Sequence, residues 1–146
     1  MTFEQEILFP DAASFLPWIP TYRVGIRRFD EEHERLAAMV SHLHSTMIVR
    51  RDKRLSLQVF ARLIQETKRH FEAETALMQD LEYPGLEAHA REHAQLLEEA
   101  EHLSSQYNLG HISALALPAF LKKWLIAHIE GPDRAYTAFF RSHGIS

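Results

Sequence analysis

Residues 56–81 read SLQVFARLIQETKRHFEAETALMQDL, and Phe60, Leu63, Ile64, Thr67, His70, Phe71, Glu74, Leu77, Met78 and Leu81 recur in them at helical spacing. His70 and Glu74 take places on a stripe that should otherwise be core. An i, i+4 pair projects from one helical face, close enough to share a metal. Burying an unpaired carboxylate costs several kcal/mol unless something holds it, and no Lys or Arg lies on this stripe. The segment therefore predicts a buried helix that carries ligands.

The same pattern repeats on both sides. After the turn Tyr83-Pro84-Gly85, the stripe Leu86, His89, Ala90, His93, Leu96, Leu97, Ala100, Leu103 predicts a helix over 86–106, antiparallel to the first, with His89 and His93 again four apart. Upstream, Leu36, Ala37, Val40, Leu43 and Met47 predict a helix from about Asp30, the candidate N-cap, to about Val49, and it carries His33. Downstream, Leu117, Phe120, Leu121, Trp124, Leu125 and His128 predict the shortest of four helices, with Pro118 tolerated in its first turn. Gly131-Pro132 should end that helix, leaving Asp133 just past the break and one or two more helical turns up to Phe140.

Residues 1–26 hold Pro10, Pro17, Pro20 and Gly25 among large apolar residues. They read as an arm packed on the body through Phe15, Trp18 and Tyr22. No strand, fixed-period repeat, phosphate-binding glycine loop or low-complexity tract is evident. The expected fold is all-α: an up-down-up-down four-helix bundle with an N-terminal arm and a short C-terminal helix, in a single domain over 1–146.

Composition closes off several functions. A net charge of −4 and a pI near 6.2 supply no basic field for nucleic acid, and the basic run 50–54 is interrupted by Asp52, as in a solvated loop. The absence of cysteine excludes disulfides, iron-sulfur clusters and thiolate zinc sites. With no leader-like N-terminus and no apolar run long enough for a membrane span, a cytoplasmic protein is expected.

Five histidines (His33, His70, His89, His93, His128) and two acids (Glu74, Asp133) therefore form the candidate site. His42 and His102 lie nine residues from His33 and His93, half a turn out of phase, and should face solvent. His44 is in phase but about 16 Å along the axis from His33. His111 and His143 fall in loop and tail. Five nitrogens and two carboxylates exceed one tetrahedral zinc and suggest two ions sharing the acids. Mixed imidazole and carboxylate ligation suits iron, with zinc, manganese or copper less suited.

Read together, Trp18-x-x-x-Tyr22-x-Val24-Gly25-Ile26, Phe29-Asp30-x-x-His33-x-x-Leu36, His70-Phe71-x-x-Glu74-x-x-x-Met78, His89-x-x-x-His93 and Trp124-Leu125-x-x-His128-Ile129-x-x-x-Asp133 resemble the hemerythrins, bacterial ones above all, across nearly the whole chain. The resemblance implies two non-haem iron ions with a bridging oxo or hydroxo group. One iron would be held by His89, His93 and His128 and the other by His33 and His70, with Glu74 and Asp133 bridging. It implies dioxygen as the ligand, bound reversibly at the two-histidine iron for storage, transport or sensing, in a monomer that is not an enzyme. A di-iron redox enzyme acting on peroxide or nitric oxide is the alternative. Glu32, where a Gln is common, and Thr75, where a second Glu is common, depart from the pattern around the ligands.

Overall fold

The protein is described by a computed structural model over residues 15–146, the side chains of Pro132 and Asp133 excepted. Among these residues there is no strand. Four helices form the bundle: α1 (Arg27–His44), α2 (Lys53–Asp80), α3 (Leu86–Asn108) and α4 (Leu117–His128), followed by the short α5 (Thr137–Ser142). α2 packs between α1 and α3, and α1 packs on α4. At 28 residues α2 runs about 42 Å, and His70 and Glu74 sit in its C-terminal half, buried between its neighbours.

The ends of these helices follow local chemistry that periodicity does not encode. α1 starts at Arg27 rather than Asp30, because the Asp30 carboxylate reaches back from the first turn to accept the backbone N–H of Val24 (2.6 Å) and Gly25 (3.2 Å). Gly25 is needed there. Its φ is +92°, a left-handed conformation that residues with a Cβ rarely adopt. The predicted run to Val49 is continuous, but its last turn, Ser45–Val49, is a wider π-type turn. There Thr46 donates to the Leu43 carbonyl and accepts from Ser56. α2 begins at Lys53, three residues before Ser56, and is capped by Asp52, whose carboxylate accepts the Leu55 N–H.

α2 and α3 close with one motif, in which the residue after the C-cap takes a left-handed conformation and the next N–H bonds five residues back. At α3 this residue is Gly110 (φ +76°), with His111 N–H on the Gln106 carbonyl; at α2 it is Glu82 (φ +56°), with Tyr83 N–H on the Met78 carbonyl.

Gly131-Pro132 does not itself end the helix: α4 closes before it, at His128. The backbone passes from α4 into a π-type turn, Ile129–Asp133, and then toward α5. Proline lacks an N–H and collides with the carbonyl four residues back in an α-helix, and a widened turn avoids that conflict. Arg134 and Ala135 are helical as expected, Tyr136 interrupts as a turn, and α5 runs on from Thr137 to Ser142.

The arm from Phe15 onward packs as expected, while its first fourteen residues lie outside the described residues. The Phe15 ring stacks on His44 (4.2 Å), the Leu16 N–H donates to Ser41 Oγ (2.8 Å), and Trp18 packs on Tyr22 (5.4 Å). Thr137 donates to the Val24 carbonyl (2.7 Å) and Arg134 to the Thr21 carbonyl, which ties the arm to the segment around α5. Enclosed by α2, α4 and the arm, α1 also buries His42, which phase alone assigns to solvent. His102, on the less enclosed α3, is exposed as expected.

Candidate metal centre

The apolar floor of the bundle comes from Phe29, Tyr136 and Phe140, whose rings pack at 4.7–6.1 Å. On this floor, four helices bring together six of the seven predicted residues: His33 from α1, His70 and Glu74 from α2, His89 and His93 from α3, and His128 from the last turn of α4. All six are buried, and Glu74 is 0% exposed. They fall into two groups, Glu74 with His89, His93 and His128, and Glu74 with His33 and His70; within each group the ligand atoms lie within 4.8 Å of one another. Glu74 belongs to both. The seventh residue, Asp133, lies outside the residues whose side chains are described. It ends the widened turn that starts one residue after His128.

Glu74 is ringed by imidazole. Its Oε1 stands 2.7 Å from Nε2 of His70 and 3.6 Å from Nε2 of His93, and its Oε2 stands 3.8 Å from Nε2 of His89. Neither oxygen accepts a hydrogen bond from a described residue, and no Lys or Arg is buried among those residues. A buried carboxylate without a cationic side chain and several nitrogen donors turned toward it make a donor set that fits one or two divalent cations.

Aromatic rings hold the imidazoles in place. Phe71 stacks on His93 at 3.7 Å with planes 2° apart and meets His128 edge-on at 5.2 Å. Phe29 meets His70 edge-on at 5.8 Å. Leu125 and Ile129 are buried, as expected of residues that keep water out, while Ile126 is partly exposed.

The sequence profile of the hemerythrin HHE cation binding domain matches residues 24–139. The chain belongs to the hemerythrin family. A bacteriohemerythrin of Stenotrophomonas maltophilia is 28% identical over 130 residues, 89% of this chain and 84% of that protein. A myohemerythrin of Riftia pachyptila is 26% identical over 119 residues, 82% of this chain and 88% of that protein. The crystal structure of wild-type hemerythrin superposes with a TM-score of 0.77 at 23% identity, covering 86% of this chain and 97% of that one, a likeness of fold.

Two residues around the hemerythrin cluster escape a reading of stripes. Glu32 Oε1 lies 2.6 Å from Nδ1 of His70, and Glu92 Oε1 lies 3.5 Å from Nδ1 of His128. Burial pushes the Glu32 carboxyl up, but the hydrogen bond and charge of His70 and the nearby Arg28 guanidinium outweigh it and hold it below the usual carboxylate range. The sequence signal that the two share is that each Glu directly precedes a cluster histidine, and the resemblance also marks Glu32 as a departure. Thr75 donates to the Phe71 carbonyl (3.0 Å) of its own helix.

Proposed function

We propose that this hemerythrin-family chain acts as one domain that holds two non-haem iron ions and binds dioxygen reversibly, as a carrier, store or sensor rather than an enzyme. The single observation that carries this reading is the sharing of Glu74 between a three-histidine and a two-histidine group. A carboxylate within reach of both groups, Oε1 beside His70 and His93 and Oε2 beside His89, is suited to bridge two ions, and the unequal histidine number would leave one of them short of donors. His89, His93 and His128 would hold one iron, His33 and His70 the other, and Asp133 would complete the bridging pair. Bound there, the iron pair supplies the redox-active site for dioxygen.

The chain's own residues favour binding over turnover. Neutral imidazoles add little negative charge to stabilise highly oxidised iron, in contrast to carboxylate-rich di-iron bundles. Phe71, Leu125 and Ile129 exclude water from the cluster, and exclusion of water and protons keeps a reduced site from oxidising irreversibly. Among the described residues no buried acid other than Glu74 is available as a proton donor within the cluster. No described helix is long and apolar enough to cross a membrane.

The test is the visible absorption of iron-loaded, reduced protein carried through repeated cycles of air and argon. A charge-transfer band that comes and goes over several cycles is the expected result. Oxidation that argon does not reverse would overturn reversible binding and favour redox chemistry on peroxide or nitric oxide. Failure to retain about two irons per chain would overturn the di-iron reading itself.

A further inference from the structure

Glu32 and Glu92 occupy equivalent places, one residue before His33 on α1 and one before His93 on α3. Stepping one residue off the core stripe turns a side chain by about 100°. Each carboxylate consequently leaves the core at the seam with another helix and meets that helix's histidine: Glu32 meets His70 on α2, and Glu92 meets His128 on α4. The rings are 3% exposed, whereas the two carboxylates are 30% and 38% exposed.

An imidazole that donates its Nδ1–H keeps the lone pair on Nε2, and a carboxylate acceptor makes that lone pair more basic. Nε2 of His70 is the atom that stands 2.7 Å from the shared Glu74. The two contacts are unequal. A separation of 2.6 Å is that of a charge-assisted hydrogen bond, and 3.5 Å lies at the outer limit of one. Glu32 is also steered from outside by Arg28, whose Nε lies 3.5 Å from Oε2. With Arg35, Leu36, Glu66, Arg69 and His70 it lines a cavity of about 210 Å³.

We propose that Glu32 is a positioning residue of the metal centre, which fixes the His70 ring through Nδ1 and strengthens Nε2 as a donor, with Glu92 a weaker counterpart on His128. The inference rests on the di-iron reading above. It makes the two-histidine half of the centre, which is poorer in ligands, the half with the stronger push from outside the cluster.

The test compares the wild type with Glu32→Gln, Glu32→Ala, Glu92→Gln and, as a control, Glu31→Gln, which removes an exposed charge paired with Arg27. Iron(II) affinity by chelator competition and midpoint potentials are read on the loaded protein, and the ring protons of His70 by nitrogen-15 NMR on the iron-free protein. Glu32→Gln keeps an acceptor but loses the charge. It should retain its iron and the Nδ1 proton of His70 while its potential rises, by about 59 mV for each tenfold loss of preference for ferric over ferrous iron. Glu32→Ala should lose the ordered Nδ1 proton as well and bind iron(II) about 10- to 100-fold more weakly. Glu92→Gln should shift the potential less than Glu32→Gln, and Glu31→Gln should match the wild type.

Equal potentials in Glu32→Gln and Glu31→Gln, a larger shift in Glu92→Gln, or an unchanged His70 Nδ1 proton in Glu32→Ala would each overturn the proposal. A wild type that takes up no iron would fail the di-iron reading instead. The iron-free NMR comparison would then still decide whether Glu32 holds His70.

Discussion

α1 and α3 stand across the metal centre from one another and are built differently. α1 buries Phe29, Leu36, Ala37, Met39, Val40 and Leu43 beside its one cluster residue, His33. α3 is longer, yet its buried residues are His89, His93, Ala100 and Tyr107, two of them cluster histidines. One helix is held by hydrocarbon, and on the proposed reading the other would be held in large part by the metal its imidazoles bind. A ligand centre can therefore stand in for a core on one side of a bundle, provided the opposite side is packed without it.

The largest expected effect comes from removing the residue common to both groups. Glu74→Ala should reduce bound iron from about two per chain to less than one, measured by metal analysis, and amide exchange should then accelerate by more than tenfold in α3 while α1 stays protected. Equal acceleration in both helices would break the contrast. Next, Phe29→Ala should cost about 3–5 kcal/mol in denaturant unfolding with or without iron, because it empties a packed site. Leu96→Ala on α3, where the side chain is only half-buried, should cost about 1 kcal/mol.

Much of this arrangement is legible in the sequence because helical phase is a local property. Stripes at 3.6-residue spacing locate the four helices and bring His33, His70, Glu74, His89, His93 and His128 to one place. What phase cannot encode is where a polar side chain off the stripe ends up. Asp30 reads as an N-cap, yet its carboxylate accepts from Val24 and Gly25. His42 reads as solvent-facing but is buried because α1 is enclosed by the arm as well as by two helices. Glu32 and Glu92 meet their histidines only after helices 36 or more residues apart have packed.

Two smaller effects sharpen the comparison at the helix ends. Glu82→Gly at the close of α2 should stabilise the fold by about 0.5–1 kcal/mol, since glycine adopts the left-handed conformation without the Cβ penalty, as Gly110 does at the close of α3. A thermal melt that shows no gain would mean that the Glu82 side chain stabilises the turn by other contacts. At the end of α1, burial holds the His44 imidazole below its ordinary range. A lowered folded-state value means that the unfolded chain binds the proton more readily. Stability should be fully present above the ordinary histidine range and decline slightly as pH falls through it, a decline that His44→Gln should flatten.

The tie between the arm and the segment around α5 has a consequence in time. Each bundle helix can begin to form from nearby residues, but the bonds from Thr137 to Val24 and from Arg134 to Thr21 join positions 113 apart. Such closures come late, because the ordering entropy of the whole loop must be met before they add anything. During synthesis the tie cannot close until residue 137 has emerged, by which point all four bundle helices have been made. The turn that follows His128, from which Asp133 is proposed to join the centre, is thus strapped down last.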